Sequence, residues 1–139
     1  MITIRPAESF DHDMVLKIWA AADLSQATPD EWDALLRGPT SAILVAEDAG
    51  AIVGAVVATY DGWRAYIYHL AVSPDRRREG IGKQLIGEAE EYLVEAGARH
   101  VHVMVDEEQP DGFALVARMG YLPEGDIVLT KRLAVRVAM

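Results

Sequence analysis

A chain of 139 residues, 51% of them hydrophobic, suits one domain, residues 1–139, with a single substantial core. A net charge of −9 disfavours nucleic acid and anionic membranes as partners, and zero cysteines exclude a disulfide framework and a thiol nucleophile. No apolar run reaches the roughly 18 residues of a bilayer span, and Met1-Ile2-Thr3-Ile4-Arg5-Pro6 holds no secretory core, so a cytoplasmic location is expected.

Ile2 and Ile4 flank Thr3 ahead of Pro6, the pattern of a short edge strand. Ser9 or Asp11 can cap a helix in which Met14, Val15, Ile18, Trp19 and Ala22 recur at helical spacing. Pro29-Asp30-Glu31 opens a second helix through Leu36, which Gly38-Pro39 closes. Residues 42–46 and 52–59 are β-branched runs joined by Asp48-Ala49-Gly50, a hairpin signal. A second hairpin follows at Tyr60-Asp61-Gly62-Trp63, where Asp-Gly suits the centre of a type I′ turn into the apolar run 66–72. Pro74 lacks an N–H and stops that strand near Ser73. Ile81, Leu85, Ala89, Leu93 and Ala96 then predict a helix over 80–96, ended by an αL cap at Gly97. His100-Val101-His102-Val103-Met104-Val105 alternates as a strand, and a strand-helix-strand unit of this length implies parallel pairing. Asp111 caps a short helix to Met119, residues 127–133 read as a closing strand, and 134–139 fray.

Chemistry concentrates in Leu70-Ala71-Val72-Ser73-Pro74-Asp75-Arg76-Arg77-Arg78-Glu79-Gly80-Ile81-Gly82-Lys83, a strand end, basic turn and helix start in succession. Without a Cβ at Gly80 and Gly82, an anion can approach the first-turn N–H groups, which carry the positive end of the helix dipole. Arg76, Arg77, Arg78 and Lys83 add full charges. Taken singly, a glycine pair is commonly only a turn and an arginine run only a solvated face; together, after a strand, they point to a phosphate site. A dinucleotide fingerprint from Gly80 fails at Leu85, and a Walker A loop ending in Gly82-Lys83 fails at Arg77 and Gln84.

The run Arg77-Arg78-Glu79-Gly80-Ile81-Gly82 resembles the Arg/Gln-x-x-Gly-x-Gly/Ala pyrophosphate loop of the GNAT N-acyltransferases. The similarity extends back to Leu70-Ala71-Val72-Ser73-Pro74 and forward to Arg118-Met119-Gly120-Tyr121, and roughly residues 2–133 follow the family's order of elements. The resemblance implies an α/β (α+β) GNAT fold: a mixed, mostly antiparallel sheet flanked by helices, with one splayed pair of parallel strands. It also implies acetyl-CoA as cosubstrate, no metal, and transfer of acetyl by direct attack of an amine borne by a small molecule or peptide. It leaves room for a homodimer. Leu70, Ala71 and Val72 would line the acyl and pantetheine path, Leu70 and Val72 through their main chain, while Arg77, Arg78, Glu79, Gly80, Ile81, Gly82 and Lys83 hold the pyrophosphate. Neighbouring arginines could share the part of Arg77, and Arg76 is the one expected to be mere surface charge. Trp19, Trp32 and nearby acids become candidates for acceptor specificity, although such residues more often serve as core or surface.

Departures from the pattern are specific. Where many relatives carry Asn-x-x-Ala-x-x-x-Tyr and use the tyrosine to protonate the leaving thiolate, this chain reads Gln109 to Val116, and valine donates no proton. Met104 stands where some relatives place a basic carboxylate. Tyr68 and Tyr66 occupy positions that related enzymes give to base or water-relay groups, with His69 in reserve. Period-two geometry puts Tyr66, Tyr68 and Leu70 on one face and Ile67 and His69 on the other, unless a bulge reverses it. Tyr121 suits a core aromatic, and His100 with His102 lacks a third metal ligand at suitable spacing. The missing acid and base also motivate a competing class, an acyl-CoA-binding module without turnover; a structural or partner-binding domain is a third.

Overall fold

The computed structural model describes residues 1–106 and 110–135. Strands β1 (Ile2–Pro6), β2 (Ser41–Asp48), β3 (Ala51–Tyr60), β4 (Ala65–Val72) and β5 (Val101–Val103) form one sheet in that order. The first four pair antiparallel, whereas β5 runs parallel to β4, as the intervening helix requires. Helices α1 (His12–Ala21) and α2 (Pro29–Arg37) cover one face, α3 (Ile81–Ala96) covers the other, and α4 (Pro110–Arg118) follows β5.

Strands β2 and β3 are buried on both sides, which is why their sequences are continuously apolar instead of alternating. Ile43, Val45 and Val57 meet Val15, Ile18, Trp19 and Trp32 on one face. Leu44, Val56 and Ile67 meet Ile81, Leu85, Ile86 and Leu93 of α3 on the other. Each such fully buried aliphatic side chain contributes about 1.5–3 kcal/mol. Both tryptophans proposed for acceptor specificity are 1% exposed and belong to this core.

Four expectations are corrected. The turn at Asp61 is not a two-residue type I′ turn: Tyr60 pairs with Ala65 across a four-residue loop, because the Asp61 carboxylate accepts from Trp63 N and Arg64 N and so competes with the hairpin geometry. Asp11 precedes α1 without a side-chain cap bond to it; instead its buried carboxylate accepts from Glu8 N and takes a two-toothed ion pair from Arg5 at 2.8 and 3.1 Å. That guanidinium holds its carboxyl below the usual range. Strand β5 ends at Val103 instead of Val105. Residues 127–133 form no strand, since the edge they would join offers only three residues, and Ile127, Val128, Leu129 and Leu133 lie exposed. The end of the expected fraying segment, 136–139, lies outside the described residues.

Candidate active site

The site begins with a fault in β4. Ala55 faces Ala71 and Val57 faces Tyr68, so His69 and Leu70 together oppose the single residue Val56, a bulge. His69 takes φ +56, a left-handed conformation that costs a non-glycine residue about 1 kcal/mol or more. Three contacts hold it there: Trp19 Nε1 donates to its carbonyl at 2.9 Å, and its Nε2 lies 3.1 Å from both the carbonyl and the hydroxyl of Ser25. The extra residue reverses the expected facing. Leu70 and Val72 join Ile67 on the α3 side, while the His69 ring turns to α1, edge-on to Trp19 at 5.0 Å and to Tyr68 at 5.5 Å.

The bulge also opens the sheet. β5 pairs only with Ala65, Tyr66 and Ile67, and Met104 N beyond it still reaches Ile67 O at 3.0 Å. Beyond it Ser73 N reaches Val53 O at 2.8 Å, on the β3 side. Strand alternation then turns the main-chain groups of Leu70 and Val72 the other way, towards the side that β5 leaves open. Ala71 is buried against the α1 face.

The open side leads to the start of α3. A short 3-10 turn, Pro74–Arg76, is followed by Arg78 at φ +66 and Gly80 at φ +83, the latter immediately before the helix. No described side chain caps α3 and no acid stands in its first turn, so among the described residues the amides of Ile81, Gly82 and Lys83 have no side-chain partner. Ile81 gives its side chain to the core and has only its amide to offer. Arg77, Arg78 and Lys83 are exposed and make no ion pair with a described residue. Arg76 is not the idle surface charge expected. Its Nη2 reaches Asp48 Oδ2 at 2.8 Å and Glu79 Oε1 at 3.0 Å, and its Nε lies 3.0 Å from Glu79 Oε2, so the Glu79 carboxylate is turned back within the loop.

The two glycines differ from expectation as well. A Cβ at Gly80 would meet nothing within 4 Å, so glycine is needed there for the backbone conformation. A Cβ at Gly82 would stand 3.1 Å from Leu115 Cδ2, with Leu70 Cδ2 at 3.8 Å and Val72 Cγ2 at 4.0 Å. The bareness of Gly82 therefore lets α4 approach the start of α3, where the sequence argument reserved that space for a ligand.

Tyr66 and Tyr68 both lie on the α1/α2 side of β4 but in different surroundings. Tyr68 packs against the core beside His69, and burial pushes its phenol up. Tyr66 stacks at 5.2 Å on His102 and lines an open cleft of about 1160 Å³ with Met104, Tyr121 and Ile127. Val116 is buried, and Gln109 falls outside the described residues. Tyr121 packs against the α3-side core as expected and donates to Glu90 of α3, which together with burial raises its phenol. Among the described residues no three or more His, Cys, Asp or Glu gather to hold a metal ion, and no helix is long and apolar enough to cross a membrane. Sequence reasoning missed the roles of Trp19, Ser25, Asp48 and Arg76; only the three-residue spacing of Arg76 and Glu79 signalled any of these contacts.

Comparison with known proteins agrees with this architecture. The acetyltransferase (GNAT) family model matches residues 8–121. An acetyltransferase of Yersinia enterocolitica is 33% identical over 135 residues, 95% of this chain and 96% of its own. A solved structure described as a transcriptional regulator from Bacillus halodurans shares the fold with a TM-score of 0.81 at 21% identity, over 96% of this chain and 100% of the other. AAC(6′)-Iy, solved with the bisubstrate analog CoA-S-monomethyl-acetylneamine, gives 0.79 at 14% identity, over 96% and 99%. With a family match over most of its length and a relative of that identity spanning nearly all of it, the chain belongs to the GNAT acetyltransferase family.

Proposed function

We propose that the protein is an N-acetyltransferase that binds acetyl-CoA along the open edge of β4 and passes the acetyl group directly to an amine. The observation that carries this reading is one juxtaposition: the stretch of β4 at Leu70 and Val72, beyond the reach of β5, runs into a helix start that no described side chain caps, ringed by Arg77, Arg78 and Lys83. Pantetheine amides would bond the strand edge as an added strand, and the pyrophosphate would take the amides of Ile81, Gly82 and Lys83. AAC(6′)-Iy, a structural neighbour solved with a CoA-bearing bisubstrate analog, supports CoA as the class of ligand.

In the reaction the neutral amine nitrogen attacks the thioester carbonyl, the carbonyl oxygen takes negative charge, and the C–S bond then breaks to release CoA thiolate. A strand N–H near Leu70 stabilises the oxyanion, and orientation of the two substrates supplies a term that can reach about 7–11 kcal/mol. Buried Val116 stands where a proton donor is usual in relatives, so the thiolate must be protonated by water or another group. Tyr68 is protonated through the neutral range, because burial raises its phenol; it serves as a hydrogen-bond donor, not a base, with Tyr66 towards the acceptor side. With Met104 where some relatives place a basic carboxylate, amines of low pKa react best: deprotonating a lysine-like amine at pH 7 costs roughly 4–5 kcal/mol, against about 1 for an α-amino group. The acidic balance of the chain favours an acceptor that is cationic in solution, a small molecule or a peptide.

The test pairs acetyl-CoA binding by calorimetry with CoA thiol release over a panel of amines. Binding with amine-dependent release is expected. Binding without release on any amine would replace this reading with that of an acyl-CoA-binding module, and absence of binding would remove both.

A further inference from the structure

The loop that leads into α3 carries a rival to its own ligand. Glu79 immediately precedes Gly80 in the chain, next to first-turn amides that no described side chain caps, and helix starts attract carboxylates for the same reason that they attract phosphate. At the start of α2 a carboxylate does close the helix end, Glu31 of the first turn accepting from Thr28 N at 2.8 Å. Glu79 does not. Arg76 takes both of its oxygens, through Nε at 3.0 and 3.2 Å and through Nη2 at 3.0 Å, and the same Nη2 is tied at 2.8 Å to Asp48 at the end of β2. Arg76 is thus anchored on Asp48 through Nη2 and holds Glu79 through Nε and Nη2.

We propose that Arg76 is a positioning residue for the donor site: anchored by Asp48, it holds the Glu79 carboxylate away from the first turn of α3 and so keeps those amides vacant for phosphate. The inference rests on the donor-site reading above and goes beyond it, since Arg76 itself need not touch the ligand. Two effects combine in one contact. The guanidinium cancels the only negative charge between Arg77 and Lys83, and its fork fixes where that carboxylate points.

Calorimetric CoA binding to the whole protein tests this, with KM and kcat for acetyl-CoA alongside. Arg76→Ala frees Glu79 and should weaken CoA about tenfold, the equivalent of one modest charged hydrogen bond, with kcat at saturation changed little. Asp48→Asn loosens the anchor without touching the loop and should weaken CoA by a smaller factor. The decisive variant is Arg76→Ala combined with Glu79→Gln, which should recover most of the lost affinity, because the rival charge is gone even though Arg76 is still missing. Arg76→Ala that binds CoA as the wild type does, or a double variant as weak as Arg76→Ala alone, overturns the inference while leaving the donor site standing. Wild-type protein that fails to bind CoA overturns the donor-site reading and this inference with it.

Discussion

At the start of α2 the Thr28 hydroxyl accepts from Glu31 N while the Glu31 carboxylate accepts from Thr28 N, and Pro29 fills the first helical position; at the start of α3 stands Gly80, and no described side chain caps it. Position for position, Lys83 of α3 stands where α2 has Glu31. The first end is closed by nearly every local device a helix has, and the second is left open with positive charge around it. What allows the difference is packing. Helix α3 runs 16 residues and buries Ile81, Leu85, Ile86, Ala89 and Leu93, so it can forgo a cap worth about 1 kcal/mol. Helix α2 runs nine residues and buries Trp32 alone, and depends on its cap. A helix anchored along its length has an end to spare for a ligand.

The sharpest way to break the comparison is to give α3 the residue that α2 has. Lys83→Glu removes one cation and sets a rival carboxylate in the first turn, so CoA affinity should fall about 100-fold, two contacts at the weak end of the range for charged hydrogen bonds. Thermal stability should meanwhile rise by about 0.3–1 kcal/mol, since an acid there suits the helix dipole. Calorimetry and melting curves on one sample check it: opposite movement supports an open end evolved for an anion, and unchanged affinity breaks the contrast.

Gly82→Val comes next in size. The added branch meets Leu115 and the side chains of Leu70 and Val72, so a loss of about 1–3 kcal/mol of stability is expected along with weaker CoA binding. Weaker binding with a wild-type melt would return Gly82 to the role of close ligand approach. Thr28→Ala, the reciprocal change at α2, should cost about 1 kcal/mol of stability. It should leave CoA affinity where it was, since Asp30 and Glu31 keep that end unattractive to anions; a parallel loss of affinity would show that the two ends are coupled.

Much of this was legible because it is local. The apolar runs of β2 and β3, the helical period of α3 and the glycines at 80 and 97 each act within a few residues, and the elements stand where those patterns put them. What escaped is set by distant partners. His69 carries no mark of a bulge in its own sequence; its left-handed turn is held by Trp19 and Ser25, 50 and 44 positions away. Arg76 resembled any surface arginine until Asp48, 28 positions earlier, was beside it. Residues 127–133 are β-prone, but a strand needs an edge, and β5 stops at Val103. The same physics applies at Gly82, since the sequence shows a missing side chain without showing that Leu115 stands beside it.

The smallest effect separates the two ends by pH. The His69 ring is half-buried beneath the loop that leads into α2, and burial pushes it below its ordinary value of 6.5, with the Ser25 bond acting in the opposite direction. Its Nε2 faces the Ser25 carbonyl, which can only accept, so the neutral ring that burial favours carries its proton on Nε2. As pH falls below about 6.5 the unfolded chain takes up that proton before the folded one does, and stability declines until the lower folded value is passed. Asp11 acts in a separate window: Arg5 lowers its carboxyl, so its contribution persists above the ordinary 3.8 and is lost as pH falls through the folded value beneath that. After allowance for solvent screening of a half-exposed ring, the His69 contribution should stay under about 1 kcal/mol. Urea unfolding from pH 7 to pH 5 should show the decline in the wild type and a flatter curve in His69→Gln, with CoA affinity at the α3 end equally pH-dependent in both. Parallel stability curves would mean that the ring is not held neutral by its surroundings. A CoA affinity that follows the histidine would mean that the bulge and the α3 start act as one site.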